Sequence, residues 1–240
     1  GNTITVNSTS PNLSFHQGII AANSFVDPQA FGTATTNLTV VNNTVNGGYN
    51  GIRVNGTDSA PSTGLVIDSN TVNNAYEYGI YVLYNNGPMI RGNKVDMRAG
   101  NPRSMGVMIN RIEGGIDFSG NHVMNAGRRS VYMNYVNRTS TAATPGIVTN
   151  NMIAGGLQNQ AEADGLYLNF TNHMHIFHNS TVTDNTGTGY SFAVTNWGSR
   201  YMDVRNNSFA YTGGGNGYAV AIGASIMDYN QDLNNYYSNG

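Results

Sequence analysis

Asparagine returns along the chain at positions 23, 43, 70, 93, 121, 151, 179, 207 and 235, at intervals of 20 to 30 residues. Around Asn43, Asn70, Asn121 and Asn207 the local pattern repeats. Apolar side chains stand five and three residues before the asparagine and two after it, as in Leu38, Val40 and Val45 or Ile116, Phe118 and Val123. Alternation on both sides of one position reads as two short strands separated by a sharp turn. A second motif, glycine, apolar, any residue, apolar, follows most anchors: Gly51 to Val54, Gly79 to Val82, Gly106 to Ile109 and Gly165 to Leu168, with Ser130 in place of glycine in one copy. It supplies a third short strand with the glycine at its bend.

A fixed period of this size marks a stacked architecture in which each repeat buries its apolar face only against its neighbours. Two or three strands fill each interval and leave no room for an ordinary helix. Strands that return to the same phase every turn pair in parallel, so the expected fold is all-β, a right-handed parallel β-helix of about eight to nine coils. At about 4.8 Å per coil it would span roughly 40 Å. A propeller blade needs about 40 residues and a leucine-rich repeat has a different leucine spacing. Stacked asparagine amides can bond to one another along the axis, since each carries donors and an acceptor. Asparagine also tolerates the left-handed backbone of sharp turns. Both reasons assign the anchors to the fold rather than to a site.

The chain is 39% hydrophobic and only 10% charged, with no break in composition, so residues 1–240 read as one solenoid domain. No run of 18 apolar residues predicts a membrane span. The absence of cysteine excludes disulfides and thiolate metal sites. The first residue is Gly1, with no basic and apolar leader, and the last seven residues restate the segment around Asn207. The expectation is therefore a fragment of a longer chain, with strand edges at its end that invite association.

The anchor asparagines and the glycine-led strands resemble the right-handed parallel β-helix repeat proteins of the pectate-lyase-like superfamily, over residues 15 to 240. The asparagine- and glycine-rich wording, as in residues 42–48 and 227–237, looks like large secreted or cell-surface proteins of Bacteroidota. The resemblance implies either a polysaccharide-active enzyme or an adhesive surface module, and the fold alone does not choose between them.

Charge is segregated along the chain. Eight of the 11 Lys and Arg residues lie between positions 91 and 138, with only Asp96, Glu113 and Asp117 as acids there. Such a segment could form a cationic band for an anionic polysaccharide or an acidic partner such as another surface or secretion protein. A negative total charge and the lack of a recognised motif argue against nucleic acid. Counting from the glycine motif, Arg53, Tyr81, Met108, Tyr132, Tyr167, Ser191 and Ala219 should form one outward row. Glu77, Arg103, Arg128, Arg129, Glu162 and Asp164 precede it in the loops. The candidate glycan-binding residues are thus Tyr81, Tyr132, Tyr167, Arg103, Arg128, Arg129, Glu77 and Asp164, since aromatic faces stack on sugar rings and arginines fork onto carboxylates or sulfates.

The function expected is a non-catalytic secreted or cell-surface scaffold that contacts glycans. The alternative is a lyase or epimerase of a uronate polymer. That chemistry needs a cation on the carboxylate, a base and an acid, for which Arg103, Arg128 or Arg129, Lys94 or His122, and Tyr132 or Tyr167 are available. Glu162 and Asp164 are a weak glycosidase pair. His173, His175 and His178 match no zinc spacing and no acid lies among them, so neither a metal nor a cofactor is expected.

Overall fold

The computed structural model describes residues 1–7, 13–24, 27, 29–32, 34–138, 144–155, 162–195 and 198–239. The strands fall into three parallel sheets, met in the same order in every coil. Sheet I contains Thr39–Val41, Val66–Asp68, Met89–Arg91, Asp117–Ser119, Gly146–Thr149, Asn172–Phe177, Arg200–Arg205 and Met227–Asp232. Sheet II begins at Thr3–Val6, continues through Thr44–Gly47, Thr71–Ala75, Lys94–Met97 and His122–Ala126, and goes on to Met152–Gly155, Ser180–Thr183, Ser208–Tyr211 and Asn235–Ser238. Sheet III is built from Ile19–Ala21, Asn50–Asn55, Tyr78–Asn86, Met105–Glu113, Arg129–Val136, Glu162–Asn169, Thr188–Val194 and Tyr218–Ile222. Among the described residues this makes seven complete three-strand coils, with a partial coil before and after them.

The core is one side chain deep in each coil. In sheet II, Val45, Val72, Val95, Val123, Ile153, Thr181 and Phe209 lie in one inward column. Sheet III contributes Ile52, Ile80, Val107, Val131, Leu166 and Phe192, all fully buried. The glycine of the repeat motif is required by close packing: a Cβ on Gly51, Gly79 or Gly106 would lie 2.3 Å from a methyl of Val72, Val95 or Val123. Where serine replaces it, at Ser130 and Ser191, the hydroxyl donates to a backbone carbonyl of sheet II, at Ala154 and Thr181, each 2.7 Å away.

The asparagines form a continuous ladder at the turn from sheet I to sheet II. In each interior member Oδ1 accepts both the backbone N–H and the side-chain N–H of the preceding asparagine, and Nδ2 donates to the next Oδ1 and to a sheet I carbonyl. For Asn121 the four distances are 3.0 Å from Asn93 N, 3.0 Å from Asn93 Nδ2, 3.1 Å to Asn151 Oδ1 and 2.9 Å to Ile90 O. Every valence of the amide is used, which is why so polar a group is stable in a buried column.

Two expectations about the ladder are corrected. Its ends are Asn2 and Asn234, not Asn23 and Asn235: Asn2 bonds to Asn43, and Asn207 bonds to Asn234. The left-handed residue of the turn is the one before each anchor, including Asn42, Ser69, Asn150, His178, Asn206 and Leu233. His178 is therefore a corner residue. The first partial coil is formed by Thr3–Val6 and Ile19–Ala21.

Candidate functional site

The outer face of sheet III carries two parallel rows of side chains. One runs Tyr78, Met105, Arg129, Asp164, Tyr190 and Tyr218, and the other runs Arg53, Tyr81, Met108, Tyr132, Tyr167, Ala193 and Ala221. The second row departs from the sequence-based expectation at its end. Gly189 and Gly217 imitate the repeat motif two residues early, so Ser191 faces inward and is fully buried, and Ala193 and Ala221 hold the outward positions.

This substitution shapes the surface. Tyr132 and Tyr167 fill their coils, meeting edge to face at 5.6 Å between ring centres. In the next two coils the aligned residues are alanines, and the space vacated is a groove of about 520 Å³. Ala193 and Ala221 line it, Tyr167 stands at its end, and Tyr190 and Tyr218 line it from the neighbouring row, stacked 6.2 Å apart. Tyr218 is 60% exposed. None of Tyr190, Tyr218, Ala193 and Ala221 was singled out from sequence. The signal available was the change from tyrosine to alanine along a stacked position, but reading it requires the correct register.

At the closed end of the groove a second, smaller concavity of about 160 Å³ is lined by Arg129, Glu162, Asp164, Tyr167 and Tyr190. Arg129 Nε donates to Asp164 Oδ2 at 2.9 Å, and its guanidinium lies 4.6 Å from the Tyr132 ring centre and 3.9 Å from that of Tyr167. Asp164 Oδ1 also accepts the backbone N–H of Tyr190 at 3.2 Å. Burial raises the Asp164 carboxyl above its ordinary value, against the hydrogen bond and charge of Arg129. Burial likewise raises the Tyr167 hydroxyl. A raised folded-state pKa means that the contribution of Asp164 to stability is fully present below the pKa of the unfolded chain and is lost as pH rises through the folded value. The stability advantage of the parent over Asp164→Asn should therefore narrow as pH rises past the ordinary carboxyl range. Denaturant titrations of both proteins across acid pH check this, and a gap that widens with pH would reverse the assignment.

The other expected site residues lie on the outer face or along the entry edge of sheet III, but they do not make one exposed surface. Tyr81 is 9% exposed, covered by the Arg53 guanidinium at 4.5 Å and stacked on Tyr78 at 5.0 Å, and buried Met108 separates it from Tyr132. Tyr81, Tyr132 and Tyr167 thus do not form one exposed platform. Glu77 Oε2 accepts from Asn101 Nδ2 at 3.0 Å and holds the loop in which exposed Arg103 sits. Arg128 and Glu162 form an exposed pair at 3.3 Å. Each carboxylate of the glycosidase candidate pair is consequently bound by an arginine of the preceding coil.

The cationic segment is not a band. Arg91 is on sheet I and pairs with Asp117, Lys94 is on sheet II, Arg103, Arg128 and Arg129 lie at the entry to sheet III, and Arg111 and Arg138 at its exit. His173 stacks on Tyr201 at 4.4 Å, and burial and nearby Arg200 lower its pKa. Among the described residues no group of three His, Asp or Glu side chains could hold a metal ion, and no helix is long and apolar enough to cross a membrane.

The chain matches a family model described as right handed beta helix region over residues 30–209. No curated protein and no solved structure matches.

Proposed function

The chain belongs to the right-handed β-helix family, and from that premise we propose that it is a rigid, non-catalytic scaffold that holds a saccharide in the tyrosine-lined groove of sheet III. The observation that carries the proposal is the trough over Ala193 and Ala221, walled by Tyr167, Tyr190 and Tyr218. Flat aromatic rings beside a shallow floor suit the apolar faces of sugar rings, while hydroxyl tips and backbone groups serve the sugar hydroxyls. Register held by seven stacked coils fixes the ring positions, so little ordering is needed on binding.

The binding reading is preferred over the lyase or epimerase because of Arg129. Beside the groove a uronate carboxylate would need a cation free to receive it, and the one standing there, Arg129, is bound to Asp164 and packed on two tyrosines. The low lysine content and the wealth of asparagine, threonine and glycine fit a secreted or cell-surface setting of the kind known from Bacteroidota, with a glycan or another surface protein as partner.

Tyr218→Ala tests the groove. Loss of one stacking face should weaken binding of an uncharged oligosaccharide roughly tenfold, to the same degree at low and high salt. Calorimetric titration of a panel of neutral oligosaccharides measures this. Unchanged affinity in the variant would remove the groove from the account.

A further inference from the structure

At the opposite end of the sheet III strands from Arg129, the turn toward sheet I holds a third concavity that the groove does not use. One bulky residue per coil adopts left-handed backbone there: Tyr84 at φ 51°, Arg111 at 56°, Tyr135 at 54° and Phe170 at 49°. This conformation is unfavourable for large side chains, and its recurrence aligns them in a column. The Arg111 guanidinium lies 5.4 Å from the Tyr84 ring centre and 5.2 Å from that of Tyr135, and Tyr135 stacks on Phe170 at 4.6 Å with 3° between the rings. Arg138 brings a second guanidinium to 5.1 Å from the Tyr135 centre.

Both arginines line a cavity of about 360 Å³ together with Tyr84, Tyr135, Asp58 and Glu113. Both are exposed, and neither forms an ion pair with a carboxylate among the described residues. An aromatic ring engages the flat face of a guanidinium and leaves its in-plane N–H donors for another partner. Two such cations against one tyrosine repel each other, and an oxyanion between them would turn that repulsion into two charge-assisted contacts. The two carboxylates on the same wall set a limit. They disfavour a dianion such as a phosphate monoester, and exposed Asp58 can accept a hydrogen bond from a hydroxyl group.

We propose that this edge binds a singly charged oxyanion, the carboxylate or sulfate ester of a hydroxyl-bearing saccharide, between Arg111 and Arg138. Its chemistry is distinct from that of the tyrosine groove, which selects by ring stacking.

The test is calorimetric titration of the full chain with trigalacturonate, a sulfated disaccharide and their uncharged counterparts, repeated for Arg138→Gln, Arg111→Gln and Tyr218→Ala. Each arginine variant should bind the acidic ligands about tenfold more weakly, the loss expected for one charge-assisted contact, with the uncharged ligands unaffected and the difference fading as salt rises. The relative response to trigalacturonate and the sulfated disaccharide identifies which anion is preferred. Arg138 is exposed at the cavity edge, so its variant keeps the test valid if Arg111→Gln perturbs the column. Tyr218→Ala should leave the arginine-dependent difference in place, which separates this site from the groove. Equal affinity for acidic ligands in the parent and Arg138→Gln at low salt, or no binding of either acidic ligand, would overturn the proposal.

Discussion

Val123→Asp is expected to prevent folding of the central coils. Val123 is fully buried between Val95 and Ile153 in the inward column of sheet II, and neither of these apolar neighbours offers a side-chain donor to a carboxylate. Burying an unpaired charge costs several kcal/mol even after relaxation, against a total stability of about 5–15 kcal/mol for an ordinary domain. Val123→Thr is the control. Thr181 already occupies this column two coils later, buried and with its hydroxyl unpartnered, so the column accepts a hydroxyl at a cost of about 1–3 kcal/mol. Circular dichroism melts should show a cooperative transition for the parent and the threonine variant and none for the aspartate variant. A folded Val123→Asp protein would mean that the core is wetter than its packing implies.

Asn121→Leu should be the most damaging substitution that adds no charge. It removes four hydrogen bonds at once and leaves Asn93 N, Asn93 Nδ2, Ile90 O and Asn151 Oδ1 each short of a partner in a buried column. Each orphaned group costs about 1–3 kcal/mol, so a loss of about 4 kcal/mol or more is expected. Asn234→Leu, at the end of the ladder, takes partners from Asn207 and from Val204 O, where the contacts are only partly buried and water can replace them. Urea denaturation should rank the two variants clearly, with Asn121→Leu far below Asn234→Leu. Equal losses would show that the ladder contributes turn geometry rather than internal hydrogen bonding.

The repeat was legible in the sequence because each of its marks answers to a local physical need. The apolar residues at minus five, minus three and plus two from each anchor are the inward positions, and the glycine is where a Cβ would strike the valine of the adjacent sheet. The ends were misread for a physical reason too. A ladder member is defined by its partners in the neighbouring coil, and Asn234 and Asn235 are indistinguishable until Leu233 is seen in the left-handed position. The site was less legible. Residues close in sequence occupy three different faces of the solenoid, so the cluster of arginines between positions 91 and 138 is dispersed around it. What carries the site is the register between coils, which aligns Tyr132 and Tyr167 with Ala193 and Ala221. Two decoy glycines, Gly189 and Gly217, hid that alignment.

The central claim is that the groove over Ala193 and Ala221 receives a saccharide and leaves it unchanged. The most direct measurement is nuclear magnetic resonance of the chain labelled on its tyrosine rings, recorded during titration with neutral and uronate oligosaccharides while the ultraviolet absorbance of unsaturated uronate is followed in the same samples. The account predicts that the rings of Tyr167, Tyr190 and Tyr218 shift with a neutral oligosaccharide, that buried Tyr81 does not, and that no unsaturated product accumulates. Unsaturated product that disappears in Arg129→Gln would establish the lyase instead, and three groove tyrosines that respond to no saccharide in the panel would contradict the account.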